Sequence, residues 1–158
     1  DTEGLELDEF WVRCGIESFN EKDFSDSLRC FEVAKSSKTI SSDLSDTILI
    51  YEGAIKAQTQ GYEQGIKFLE EHPTNNKKYY YMILCAYNVL QKDFSKSIFY
   101  GEKFLQENYQ LSKSEEQIYF WYSLALLNSN QKEKAFFCII KNINSFFCHH
   151  FKIRCVDI

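Results

Sequence analysis

The chain has 158 residues but a single proline and only six glycines. A many-stranded β domain needs turn residues far more often, so composition argues against an all-β fold. The glycines never cluster into a loop able to cradle a phosphate. Apolar runs in the body, such as Leu124 to Leu127, are far too short to span a bilayer, and no signal-peptide pattern opens the chain, so insertion in a membrane is not expected. No dense run of Lys and Arg interleaved with aromatics occurs. The net charge of −5 offers no attraction to a phosphate backbone, which argues against nucleic acid as a partner. The first residue is not Met and the last stretch, Ser145 to Ile158, is still apolar, a pattern expected of a piece of a longer protein.

Aromatics are what the chain has in excess: fourteen Phe, ten Tyr and two Trp make up 16% of it, which suits helices packed through large side chains or an aromatic binding surface. Hydrophobic residues at 44% and charged residues at 26% are those of an ordinary globular unit, and the length suits one domain or a short repeat array. Six cysteines, Cys14, Cys30, Cys85, Cys138, Cys148 and Cys155, lie far apart and mostly within apolar helical patterns. That distribution fits buried thiols in a reducing compartment, the cytoplasm or nucleus, better than a disulfide framework.

Internal repetition organises the chain. Lys22-Asp23-Phe24-Ser25-Asp26-Ser27 recurs 70 residues later as Lys92-Asp93-Phe94-Ser95-Lys96-Ser97, identical at five of six positions. Between the copies lies Gln60-Gly61-Tyr62-Glu63-Gln64-Gly65, and a weaker copy runs from Gln131 to Ala135. Each follows a stretch with apolar residues at three- and four-residue spacing and a small residue near its middle: Gly15, Gly53, Cys85 and Ser123. The spacing predicts helices near 8–20, 24–36, 46–59, 62–71, 77–91, 94–108, 115–129 and 131–144, with Ser45-Asp46 and Ser114 as helix caps and a further helix over 145–158. The fold class is therefore all-α.

These residues resemble the tetratricopeptide family, whose signature places Trp and Leu-Gly on a first helix and a small residue, an aromatic and Ala on a second. Trp11, Gly15, Ser27, Phe31 and Ala34 match it in the first unit, and Tyr81, Leu84-Cys85, Ser97 and Phe104 in the third. The second holds its small positions with Gly53 and Gly65 and is cut short by Pro73; the fourth has Tyr119, Ser123, Ala135 and Ile139 but no aromatic after its turn. The resemblance implies a single α-solenoid of about four antiparallel hairpins in a right-handed superhelix, with repeats near 8–41, 46–77, 78–111 and 116–144 and 145–158 as a cap or the start of a further repeat. It also implies a protein-binding adaptor or scaffold rather than an enzyme.

Candidates for chemistry are few. Cys148-His149-His150 with Cys155 is the one metal-like cluster; its ligands fall too close along one helix to converge easily on zinc, and the competing reading is an amphipathic terminal helix. Cys14, Cys30 and Cys85 fall on inferred core positions with no His in the same helix, and read as packing residues. Glu70-Glu71 and Glu115-Glu116 read as solvated helix ends, and His72 before Pro73 as a residue that closes a helix. No catalytic group, cofactor or metal is expected.

In the resembled family the first helix of each hairpin lines an inner groove. The matching positions here are Val12, Arg13 and Ile16, then Ile50 and Tyr51, then Tyr79, Met82 and Ile83, then Phe120, Trp121 and Leu124. Family members that clamp the acidic tails of chaperones carry Lys, Asn and Arg at such places; Val12, Ile16, Tyr51, Tyr79 and Ile83 stand there instead. The groove is expected to take a hydrophobic helical or extended peptide of a protein partner. The competing expectation is that a terminal helix or a second copy covers it, as in a homodimerising scaffold subunit of a large cell-cycle ubiquitin ligase.

Overall fold

A computed structural model describes residues 2–140. Those residues are helical and carry no strand: α1 is Thr2–Asn20, α2 Phe24–Lys35, α3 Ser42–Gln60, α4 Tyr62–Glu71, α5 Lys77–Leu90, α6 Phe94–Gln106 and α7 Gln117–Asn128, with a further helical run, α8, over 132–140. The all-α expectation holds. The chain forms two compact units, divided between Tyr80 and Tyr81 within α5.

In the first unit α1 packs on α2 and α3 on α4, and α3 also lies against both helices of the first pair. Val12, Phe31, Ala34, Ile48 and Ile55 form the core shared by these helices. Full burial of side chains such as Phe31 and Ile48, each 0% exposed, contributes about 1.5–3 kcal/mol apiece. Close approach within each pair depends on the small residues. A Cβ on Gly15 would come within 2.4 Å of the Phe31 ring, and one on Gly53 within 2.5 Å of Leu69. Opposite Gly15 the Ser27 hydroxyl donates to the Gly15 carbonyl at 2.7 Å, a buried bond that spends the hydroxyl without needing water.

The second unit repeats that bond. Ser97 donates to the Cys85 carbonyl at 2.8 Å, again across twelve residues, and ties α5 to α6. Gly53 with Gly65, and Ser123 with Ala135, complete a series of small pairs twelve residues apart. Gly101 stands sixteen residues after Cys85, where the first two hairpins carry Phe31 and Leu69 after Gly15 and Gly53. The vacated volume is taken by Tyr122 of α7, whose ring lies 2.4 Å from where a Gly101 Cβ would be. Tyr122 joins Cys85, Phe104, Ile118, Leu126, Ala135 and Cys138 in the core of this unit.

The turns explain the repeated Lys-Asp. Lys22 and Lys92 adopt left-handed backbone with φ of 63° and 64°. Each donates its N–H three residues back, to Phe19 and Val89, while Asp23 and Asp93 donate five back, to Ser18 and Asn88. This closes the first helix of each hairpin with a Schellman motif. The same Asp residues then cap the next helix, their carboxylates accepting from the N–H of Asp26 at 3.0 Å and of Lys96 at 3.1 Å. Asn130, at φ 58°, and Gln131 reproduce the backbone bonds to Leu127 and Leu126. The second hairpin turns instead on Gly61, at φ 97° and ψ 155°, a conformation that excludes a side chain.

Several boundaries differ from expectation. α1 begins at Thr2 rather than 8, because Leu5 and Leu7 are exposed and supply no core periodicity, while buried Asp8 accepts from the Thr39 hydroxyl at 2.7 Å. Ser41, not Ser45-Asp46, caps α3, accepting from Leu44 N–H at 3.2 Å. Ser114 does not cap α7. Its entry is a turn in which Ser112 donates its N–H to Glu115 Oε2 at 2.8 Å, so Glu115 and Glu116, 8% and 9% exposed, are not solvated. His72 closes α4 as expected, with Nδ1 2.8 Å from the Phe68 carbonyl and its ring stacked on Phe68.

Candidate functional site

The first unit contains a pocket of about 480 Å³ lined by Ile16 of α1, by Asp43, Asp46, Thr47, Ile50 and Tyr51 of α3, by Asn76, and by Tyr79 of α5. Each wall follows from local structure. Positions 43, 46, 47, 50 and 51 of α3 lie three and four residues apart and share a face. Tyr51 is held by Phe19 in an edge contact at 5.1 Å and by Phe31 at 5.9 Å, which fixes its ring, and burial pushes its phenol above the ordinary range. Asp46, only 7% exposed, accepts the Asn76 N–H through Oδ2 at 2.8 Å and so anchors the segment entering α5 against α3. Tyr79, in the first turn of α5, is 48% exposed and carries Lys78 Nζ at 5.6 Å from its ring centroid.

Four of the residues expected along a groove, Ile16, Ile50, Tyr51 and Tyr79, therefore meet in one concavity. Val12 and Arg13 do not. Val12 is 3% exposed and belongs to the core under Phe31, because the α1 face that meets α2 and α3 passes through it. Arg13 is exposed on α1 and outside the pocket. In the second unit Met82 and Trp121 pack against the core, Ile83 and Leu124 are half-buried, and Phe120 is 56% exposed in an edge contact with Trp121. None of these five lines a described pocket. A concavity of about 490 Å³ in that unit is walled by residues of α6, α7 and α8, Phe104, Tyr119, Tyr122, Lys134 and Cys138 among them.

Sequence reasoning passed over Asp43, Asp46, Thr47 and Asn76, the polar half of the first pocket. The available signal was the spacing of Asp43 and Asp46 ahead of Ile50, which sets the carboxylates on the same side of α3 as the apolar groove residues.

The thiols behave as packing groups. Cys30 and Cys85 are buried, and desolvation pushes Cys85 up to about 11 even though the Ser97 hydroxyl favours its thiolate. Cys14, expected in the core, is half-buried. Among the described residues no group of three His, Cys, Asp or Glu is placed to hold a metal, and no helix is long and apolar enough to cross a membrane. The Cys148, His149, His150 and Cys155 cluster and the expected helix over 145–158 lie outside the described residues. No protein-family model, curated protein or solved structure matches this chain.

Proposed function

We propose that the chain is a tetratricopeptide-like array serving as a protein-interaction module, an adaptor or scaffold rather than an enzyme, which holds a partner segment against Ile16, Tyr51 and Tyr79. The observation that carries this reading is the pocket in the first unit, where two tyrosines and two isoleucines converge on an open concavity. Tyr and aliphatic side chains in a concave, partly desolvated setting are the usual anchors of a peptide site, since they give up large contact area at little cost in rotamer freedom. The recurring small pairs, the repeated serine-to-carbonyl bond and the shared turn motif support the repeat architecture.

Affinity capture with the whole chain tests the reading. Tyr79→Ala removes a half-exposed ring and leaves the core untouched, so partners held in the pocket are expected to fall by about tenfold or more. Equal recovery by wild type, Tyr79→Ala and Tyr51→Ala sinks the assignment.

A second reading, self-association, is favoured by the second unit, which exposes Phe120 at 56%, Phe136 at 66% and Phe137 at 64%. Light scattering that finds a monomer at high concentration removes it.

A further inference from the structure

We infer that the pocket of the first unit selects a partner segment carrying a lysine or arginine between apolar residues, with the cation held by Asp43 and Asp46 and its aliphatic stem laid along Ile50 and Tyr51. The inference rests on the peptide-binding reading above and specifies the chemistry of the ligand.

Charge complementarity is the first argument. Two carboxylates line the pocket and no Lys or Arg does. Asp46 is more than nine-tenths buried, yet its only partner among the described residues is the Asn76 amide on Oδ2, which leaves Oδ1 uncommitted. No buried side-chain oxygen of the described residues lacks a hydrogen-bond partner, so Oδ1 of this pocket-lining residue is open to the concavity, where it can accept from a ligand donor. Asp43, exposed in the first turn of α3, has no ion pair among the described residues either. The surrounding field points the same way: residues 1–80 contain sixteen Asp and Glu against nine Lys and Arg, a net charge of −7.

The apolar walls narrow the choice further. A small hydrated cation gains nothing from Ile16, Ile50 and two tyrosine rings, whereas Lys and Arg bury their methylene stems along such surfaces and present the charged head to the carboxylates. A tyrosine face also attracts the cation directly, as Tyr79 already does with Lys78.

Selection from a phage-displayed library of short random peptides on the purified whole chain tests this, with the recovered peptides synthesised and their binding followed by fluorescence anisotropy. Recovered sequences are expected to centre on Lys or Arg flanked by apolar residues, and replacing that residue by norleucine should weaken binding about tenfold or more. Asp46→Asn and Asp43→Asn should each weaken it to a comparable degree. Asparagine at 46 keeps an oxygen for the Asn76 amide; should Asp46→Asn nonetheless lose its helical circular dichroism, exposed Asp43 carries the test alone. Peptides that depend on Tyr51 and Tyr79 but contain no cation, or bind Asp43→Asn and Asp46→Asn unchanged, overturn the cationic assignment and leave the peptide-site reading standing. Peptides indifferent to Tyr51→Ala and Tyr79→Ala, or a library that yields no binder, overturn both. If a synthetic peptide of residues 151–156, which contains Lys152 and Arg154, outcompetes every library peptide, the occupant is a second copy of this chain and the assignment to another protein falls.

Discussion

Cys85 shows what a single buried side chain contributes and when. It sits at a small-residue position, wholly covered, with its own carbonyl taken by Ser97. Burial lifts its thiol from 9.0 to about 11, so the folded chain holds a proton that the unfolded chain releases. The raised folded value means its contribution is fully present below pH 9.0 and is lost as pH climbs toward 11. Between those values stability is expected to fall by at most about 1.4 kcal/mol per pH unit from this group alone. Urea titrations across that window should show the loss in the wild type and a shallower one in Cys85→Ala, which keeps the small size and has no proton to release. Parallel curves would show that the thiol is not what titrates. Tyr122, raised to about 12 by burial first and then by nearby Glu102, Cys138 and Cys85, adds an alkaline loss centred above this window.

Helices and their turns are where the repetition becomes physical. The Lys-Asp dipeptide closes one helix and opens the next; in the fourth copy Asn130-Gln131 replaces it, with Asn130 taking over the left-handed position of Lys22 and Lys92 and Gln131 standing in the place of Asp23 and Asp93. The backbone there is already formed: Gln131 N–H reaches the Leu126 carbonyl, and the Ala135 N–H reaches Gln131. What is missing is a short side chain able to accept from the N–H three residues on, and glutamine is too long for it. Gln131→Asp should therefore stabilise the chain by about 0.5–1 kcal/mol, a rise of roughly 1–4 °C in melting temperature for a chain of this size. Thermal scans settle it, with Asp93→Ala expected to shift the midpoint the opposite way by a similar amount. The repeated motif made this turn readable in advance, as it did the small pairs at Gly15, Gly53, Cys85 and Ser123. The starts of α1 and α3 were hidden, since the first turns of α1 bury little that is apolar and the Ser41 cap lies in a run of serines where any of several would serve.

For the molecule as a whole, the net charge of −5 conceals an uneven division: residues 1–80 carry −7 and the remaining residues +2. The apolar half of the site was legible because Ile16, Ile50, Tyr51 and Tyr79 lie on α1, α3 and α5, each within six residues of the small residue, Gly15, Gly53 or Cys85, that marks its helix. Its acidic half was not, because Asp46 looks like a cap until Asn76, thirty residues on, is seen to satisfy it. This division makes a kinetic prediction for cationic peptides that bind the first pocket. Long-range attraction acts before contact and is screened within about 8 Å at physiological salt, so the association rate should fall as ionic strength rises. Contacts inside a partly desolvated pocket are screened far less, so the dissociation rate should change little over the same range. Tyr79→Ala should do the reverse, leaving the charge and the association rate alone while speeding release. Stopped-flow measurements across a salt series separate the two. A dissociation rate that rises steeply with salt, with no effect of Tyr79→Ala, would mean that the peptide is held by diffuse charge outside the pocket rather than by the rings and carboxylates that line it.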